Sequence, residues 1–245
     1  MLPERRQLLL PFPHAPAYDS RDFLAAASNQ EALVWLDTVW PDRRLTLWGS
    51  AGCGKSHLLH IWAERVSARF LAAQALHDLE DMPESGALAL DDADNVTSEP
   101  LLLHLLNTAR DRGLTVLLSG RTPPSRWPVL LPDLSSRLRA ISAVEIRAPS
   151  DDLLASLLMR LLSDRQLNVA PSVQDWMLTR LPRSPGVLRQ AVARLDRASL
   201  AVGKAITRSL AAEVLADEVM STADGDGDEV SMSGVDPSSQ SPGLL

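Results

Sequence analysis

Several chemically important residue types are scarce in this chain: among its 245 residues are one cysteine, one tyrosine and two lysines. A single cysteine excludes an internal disulfide and favours a reducing compartment. No apolar run reaches the length needed to cross a bilayer, and the N-terminus lacks the cationic and apolar regions of a secretory signal. We therefore expect a cytoplasmic protein that makes no membrane contact.

Negative charge exceeds positive charge, but the excess is concentrated at the C-terminus. The formal net charge is −7 at pH 7, and residues 221–245 carry five acids without any lysine or arginine. The rest of the chain is therefore close to −2, which is not the charge of a protein that coats nucleic acid.

The most informative segment is 49–56 (GSAGCGKS), which fits the phosphate-loop pattern G-x-x-x-x-G-K-S/T between a strand-like and a helix-like run. Its glycines let backbone N–H groups point at a polyphosphate, and the helix that follows adds its positive end. Lys55 would reach the β- and γ-phosphates, and the Ser56 hydroxyl would ligate Mg²⁺. The alternative is a glycine-rich turn before a helix. The residues predicted to bind nucleotide are Gly49, Ser50, Ala51, Gly52, Cys53, Gly54, Lys55, Ser56 and His57.

A second apolar run, 87–92 (ALALDD), ends in two acids and supplies the other half of such a site. Asp91 would hold the Mg²⁺ shell, and Asp92 would polarise an attacking water. The alternative is that the paired acids cap the next turn. Aspartate is shorter than the glutamate common at the second position, which favours slow hydrolysis.

Three further residues complete the predicted catalytic set. Ser119 ends a buried strand near the level of the γ-phosphate, Arg137 lies on a short helix in LPDLSSRL, and Arg189 lies in a later helix. Arginines at such places supply delocalised charge to a transferring phosphoryl group, in their own subunit or in a neighbour. Taken singly, each arginine could equally form a surface salt bridge. Tyr18 and Phe23 precede the phosphate loop and would either stack on adenine or serve as core residues.

Strand-like and helix-like runs alternate up to residue 149, which predicts an α/β fold with a parallel sheet between helices. The later part reads as wholly helical. The predicted strands are 45–48, 69–72, 87–90, 115–119 and 143–146, and the predicted helices are 20–39, 56–66, 74–80, 99–112, 133–139, 151–164, 172–181, 185–200 and 207–219. We divide the chain into an extended arm (1–15), a phosphate-loop αβα subdomain (16–149), a helical lid (150–220) and a disordered acidic tail (221–245).

The lines WGSAGCGKSHLL, ALALDDAD, LPDLSSRL and VLRQAVARLDRAS resemble the AAA+ module of the initiator DnaA over about residues 16–219, and more closely the DnaA-related Hda family. The resemblance implies an AAA+ P-loop NTPase with a five-stranded parallel sheet and a small C-terminal helical lid. Hda is favoured because the chain ends after the lid, without a helix-turn-helix domain. One departure is Arg121, which stands where DnaA-like chains tend to have an acid, so that Ser119 either takes the sensing role or the role is lost.

The N-terminal arm reads QLLLPF from Gln7, which fits the sliding-clamp docking pattern Q-x-x-L/M-x-F/L. Leu10 and Phe12 would enter a hydrophobic cleft, and the Gln7 amide would fix the register. The alternative is an apolar arm folded back on its own domain. The predicted clamp-binding residues are Gln7, Leu8, Leu10, Pro11 and Phe12.

The resemblance to Hda implies a regulatory adaptor that carries ADP or ATP with Mg²⁺ and has little or no ATPase activity of its own. It would dock on the β clamp of DNA polymerase III, present Arg137 in trans to ATP held by DnaA, and so restrain initiation. Contact with DNA would be indirect, and a homodimer is conceivable. The alternatives are an autonomous ATPase that acts on DNA, like a helicase loader, and a clamp-docking module with a vestigial nucleotide site.

Overall fold

The structure of this protein is a computed structural model that describes residues 23–80, 82–202 and 205–223. The predicted arm with its clamp-binding residues, Tyr18, and positions 224–245 of the predicted tail lie outside the described residues. The chain forms two compact units. The first extends to Leu157 and also includes Arg183–Gly186, and the second comprises Leu158–Pro182 and the chain from Val187 onward.

The first unit is built on a sheet of five parallel strands in the order β2-β3-β4-β1-β5. The sheet confirms the predicted fold class, and each strand lies within one residue of its predicted bounds. The central strands β3 and β4 are buried on both faces, and their apolar runs ALAL and VLL made them recognisable in the sequence. The strands are β1 Arg44–Trp48, β2 Arg69–Ala72, β3 Ala87–Asp91, β4 Thr115–Gly120 and β5 Ser142–Glu145.

Two pairs of helices cover the two faces of this sheet. Helices α1 (Gln30–Leu36) and α2 (Lys55–Val66) cover one face, and α3 (Glu99–Asp111) and α4 (Pro132–Ala140) cover the other. Side chains alternate along each strand, so successive residues join opposite cores. One core contains Leu45, Leu47, Ala89, Leu117, Leu58 and Trp62, and the other contains Leu88, Leu90, Val116, Leu118, Leu105 and Leu134.

The strand order creates a crevice at the carboxyl ends of two neighbouring strands. From β1 the chain passes through α2 to β2, at one edge of the sheet. From β4 it passes through α4 to β5, at the other edge. Connections that leave neighbouring strands in opposite directions open a ligand-binding crevice between them. The phosphate loop follows β1 and therefore lies at this crevice.

The second unit is helical. It contains the second half of α5 (Asp151–Asp164), then α6 (Pro171–Arg180), most of α7 (Pro185–Val202), α8 (Arg208–Val214) and α9 (Ala216–Ala223). Its buried side chains are mainly leucines, valines and one methionine, spaced one helical turn apart: Leu158, Leu161, Leu162, Val173, Met177, Leu188, Val192, Leu195 and Leu215. Within the described ranges, no helix is both long enough and apolar enough to cross a membrane.

The predicted helix 74–80 is wrong. A single turn of 3-10 helix at Ala73–Ala75 is followed by turns and bends, because the Asp78 carboxylate accepts the Glu80 N–H and so replaces a helical bond. The predicted helix 20–39 begins only at Gln30. The Asn29 side chain bonds the backbone of Leu24 and Ala26 and holds 23–29 in an irregular conformation.

The predicted helix 207–219 is also different in the structure. It is divided at Leu215 into α8 and α9, and α9 continues to Ala223. The predicted tail therefore cannot begin at residue 221. Leu215 is fully buried, so the backbone turns there to keep this leucine in the core while the exposed residues around it remain in water.

Candidate nucleotide-binding site

The phosphate loop requires glycine at three positions. Gly49, Gly52 and Gly54 have φ angles of 153°, 76° and 108°, values that residues with a side chain rarely adopt. A Cβ on Gly49 would also overlap the carbonyl oxygen of Ile146. Gly54 is the N-cap of α2, so the loop delivers the positive end of this helix into the crevice.

Lys55 is folded back over the loop that precedes it. Its Nζ donates to the carbonyl oxygens of Gly49 at 2.8 Å and Ser50 at 2.9 Å, and the residue is 7% exposed. Both acceptors are neutral, so the positive charge of the ammonium remains available to an anion. A polyphosphate in the loop would meet this charge together with the N-terminal end of α2.

The ends of β3 and β4 and the start of α2 meet at Asp91. Its Oδ1 accepts hydrogen bonds from the Ser56 hydroxyl at 3.1 Å and from the Ser119 hydroxyl at 2.5 Å. A hydroxyl and a carboxylate are the hard oxygen donors that Mg²⁺ prefers, so the residues present fit this ion. No group of three or more metal-ligating side chains occurs in the described part of the chain. Phosphate oxygens and water would therefore complete the coordination of a bound Mg²⁺.

Ser119 is fully buried. Its Oγ also accepts the backbone N–H of Asp92 at 2.7 Å. The single hydroxyl proton is donated to Asp91, so a direct contact with phosphate would require that bond to break. The sensing role of Ser119 stays a prediction, and the structure adds a second role in which Ser119 holds the two acids in place.

Asp92 has a left-handed backbone, with φ of 52°. Burial, followed by the charges of Asp91 and Asp94, raises the pKa of Asp92, and Lys55 and Arg121 oppose the shift. A carboxylate with a raised pKa accepts a proton more readily, as a general base must.

Arg121, the residue that departs from the DnaA-like pattern, is anchored through its backbone. The Arg121 backbone N–H donates to Asp94 Oδ2 at 2.6 Å, which ties the connector after β4 to the turn that follows β3. Asp94 was not singled out by sequence analysis, and no local pattern marks it, because its partner lies 27 residues away.

His57 and Phe23 lie beside the loop, and Cys53 lies within it. His57 is buried and packs edge-on against the Phe23 ring, with centroids 5.4 Å apart. The Phe23 Cε2 atom lies 3.7 Å from the position that a Cβ on Gly54 would take, so this aromatic ring lies beside the end of the loop. Burial raises the pKa of the Cys53 thiol, with Lys55 acting in the opposite direction. A buried, neutral thiol favours the interpretation of Cys53 as a small packing residue.

Arg137 lies on α4 five residues before Ser142, the first residue of β5, which pairs with Leu45 near the start of β1. It is half-buried on α4, and its Nε is buried without a hydrogen-bond partner among the described residues. Burial lowers the pKa of Arg44, and the charges of Arg110 and Arg137 add to this effect while Asp42 opposes it; Arg137 is therefore close to Arg44. Arg44 begins the five-residue β1, and the loop begins after its other end, about 16 Å away along the strand.

Two further residues lie in the part of the chain that was predicted to be the lid. One was predicted as a site residue from the sequence, and the other was not. Arg189 is half-buried on α7 in the second unit, and its catalytic role stays a prediction. Ser184, which sequence analysis did not single out, lies in the segment Arg183–Gly186 and contacts the phosphate loop at Gly52. These two positions are 132 residues apart, so only the tertiary structure brings them together.

A phosphate loop after β1, two acids at the end of β3, a hydroxyl near the end of β4 and a helical C-terminal part are the arrangement of the AAA+ fold. Residues 151–215 match the family described as Hda, lid domain. Domain III of the replication initiation protein DnaA from Thermotoga maritima has the same fold, with a TM-score of 0.69 and 20% identity over 85% of this chain and 99% of that one. Residues 151–215 are therefore similar to the Hda lid, and the fold of the chain is that of the DnaA AAA+ domain.

Two further proteins are similar to this chain. AMPPCP-bound DnaA from Aquifex aeolicus superposes with a TM-score of 0.59 and 18% identity, over 77% of this chain and 67% of that one. An uncharacterized protein of Haemophilus influenzae is 27% identical over 187 residues, which cover 69% of this chain and 80% of its own length.

Proposed function

We propose that this protein is a nucleotide-bound regulatory adaptor that docks on the DNA polymerase sliding clamp and stimulates ATP hydrolysis by DnaA. Initiation of replication would thereby be negatively regulated. The Hda-type lid and the DnaA-like sheet support this role. It would be exercised in the cytoplasm, through DnaA and the clamp, with DNA reached indirectly.

The chain's own nucleotide would be ADP or ATP held by residues 49–56. The AMPPCP-bound state of a structurally similar DnaA supports an adenine nucleotide, and the Lys55 ammonium and the N-terminus of α2 supply the charge that phosphates need. Mg²⁺ would be held by Ser56 and Asp91. When bound, the ion would neutralise charge on the phosphates, and the chain's own part would be to fix loop, hydroxyl and carboxylate around it.

The observation that carries the proposal is the location of Arg137. The Arg137 charge acts on Arg44, at the amino end of β1, whereas the phosphate loop follows the carboxyl end of the same strand. A guanidinium at the amino ends of the strands is remote from a nucleotide in its own loop. It is suited to a nucleotide in another subunit. Its planar fork of donors matches phosphate oxygens, and it would stabilise the charge that develops during phosphoryl transfer. We place the ATP that it contacts on DnaA.

Clamp docking is supported by the sequence 7–12 alone. Gln7, Leu10 and Phe12 retain the spacing of a docking peptide, in which a few buried apolar anchors dominate affinity. An extended arm ahead of the AAA+ module would allow the clamp to hold the protein near DnaA, which raises the local concentration of Arg137 around its target.

The proposal is tested with ATP-loaded DnaA and clamp assembled on DNA, by following phosphate release with and without the full-length protein. Arg137→Ala should reduce hydrolysis to the unstimulated rate, since an arginine in this role contributes about a thousandfold or more. Arg137→Lys should restore little, because lysine lacks the fork geometry. Arg139→Ala is the matched control, because Arg139 is an exposed arginine on the same helix. Full stimulation by Arg137→Ala, with clamp binding intact, would disprove the mechanism.

A second candidate function is ATP hydrolysis by the chain itself during action on DNA. The assembled contacts of Ser56, Asp91 and Ser119 favour it, since they are the parts of a working hydrolytic site. This candidate predicts phosphate release without DnaA and single-stranded DNA binding with a steep salt dependence. A vestigial site predicts instead that Lys55→Ala leaves clamp-dependent activity unchanged.

A further inference from the structure

The apex of the phosphate loop is in contact with a residue that lies 132 positions later in the chain. A Cβ placed on Gly52 would overlap the Oγ of Ser184 and would lie 2.7 Å from its Cβ. The Ser184 side chain therefore occupies the space that a side chain at position 52 would take. Gly52 itself has a left-handed φ of 76°.

Other contacts hold Ser184 at this place. The segment Arg183–Gly186 belongs to the first compact unit, although the residues on either side of it belong to the second. Arg183 Nη1 lies 2.6 Å from Asp151 Oδ1, and Nη2 donates to the Pro149 carbonyl oxygen at 3.4 Å. Pro182 precedes the segment and Pro185 lies within it, and both prolines restrict its backbone. The serine is thus presented to the loop by a segment with little conformational freedom.

We propose that Ser184 is a positioning residue for the phosphate loop, which keeps the apex at Gly52 in its nucleotide-binding conformation and slows nucleotide release. The inference rests on the proposed function, because it takes residues 49–56 as an adenine nucleotide site. Glycine loses more conformational freedom on ordering than any other residue, and this loop has three. A side chain that already restricts the apex reduces the entropy lost when phosphate binds.

The segment that carries Ser184 is continuous in sequence with the second unit at both of its ends. Pro182 precedes the segment and Val187 follows it, and both belong to that unit. A change in the position of residues 183–186 would be felt at Gly52, and a nucleotide that orders the loop would stabilise the segment in return.

The test is a double-mutant cycle on the full-length protein with Gly52→Ala and Ser184→Gly. A fluorescent ADP analogue gives the dissociation constant and the dissociation rate. Ser184→Gly should raise the dissociation rate about five- to tenfold, within the usual range of coupling between sites. Gly52→Ala should weaken binding strongly in the native background. In the Ser184→Gly background, Gly52→Ala should raise the dissociation constant by a factor that is at least about threefold smaller than in the native background. The reason is that the overlap is gone there and only the left-handed backbone opposes alanine.

The matched control is Ser172→Gly, which makes the same change at an exposed serine of α6 and should combine additively with Gly52→Ala. The cycle is repeated without nucleotide, with the free energy of unfolding in denaturant as the readout. The same non-additivity is expected there, because the overlap between residues 52 and 184 exists before nucleotide binds.

The outcomes separate this inference from the proposed function. If the protein binds nucleotide but the effects of Gly52→Ala and Ser184→Gly are additive in both cycles, the inference about Ser184 is overturned and the proposed function is not. A native protein that binds neither ADP nor ATP overturns the proposed function and the role in retention together. If the native protein does not stimulate ATP hydrolysis by DnaA but both double-mutant cycles are non-additive, the proposed partner activity is overturned and the role of Ser184 is supported.

Discussion

Replacement of Ser119 by alanine removes the hydroxyl that joins β3 to β4 at the candidate site. This hydroxyl donates to Asp91 Oδ1 at 2.5 Å and accepts the Asp92 N–H at 2.7 Å. Alanine retains the Cβ, so the buried strand does not have to move. The substitution therefore removes two hydrogen bonds and little packing.

The expected cost follows from the two groups that are left behind. A hydrogen bond to a charged group contributes about 1.5–3 kcal/mol, and a buried donor without an acceptor costs about 1–3 kcal/mol. Asp91 and Asp92 are only half-buried, so water can replace part of what is lost, and the lower ends of both ranges apply. We expect the free energy of unfolding to fall by about 2–3 kcal/mol.

Denaturant-induced unfolding, followed by tryptophan fluorescence, measures this change. Ser142→Ala is the matched control, because Ser142 is a half-buried serine at the start of β5, away from the acids. The control should lose less than about 0.5 kcal/mol. If Ser119→Ala loses no more stability than Ser142→Ala, the two hydrogen bonds contribute nothing and the reasoning fails.

Two further substitutions test the surroundings of the site. Because the pKa of Asp92 is raised, mainly by burial, its carboxylate destabilises the folded chain once the pH exceeds the ordinary aspartate range. Asp92→Asn should therefore increase the free energy of unfolding at pH 7 relative to the native chain, and this gain should shrink as the pH is lowered through that range; a gain that is independent of pH would contradict the assignment. Gly120→Ala would place a Cβ 2.9 Å from the ring of Trp127, so we expect a loss of about 1–3 kcal/mol and an altered tryptophan emission spectrum, and an unchanged spectrum with full stability would show that the connector adapts freely.

The sheet could be predicted from the sequence because its strands are encoded locally. The runs 87–90 (ALAL) and 116–118 (VLL) are apolar at every position, as a strand buried on both faces requires. The helix predicted at 74–80 failed for the opposite reason: its apolar spacing permitted a helix, but the Asp78 carboxylate bonds the backbone locally and favours a turn.

The sequence by itself determined the phosphate loop, the acids after β3 and the helical lid, because each depends on residues that are adjacent or one helical turn apart. Only the tertiary structure decided that the Ser119 proton is donated to Asp91, that Arg137 lies near Arg44 at the amino ends of the strands, and that Ser184 fills the space beside Gly52. The strand order and the return of residues 183–186 to the first unit bring together side chains that are distant in sequence. Periodicity reports which face of its own element a residue occupies, and it carries no information about which distant residue will pack against that face.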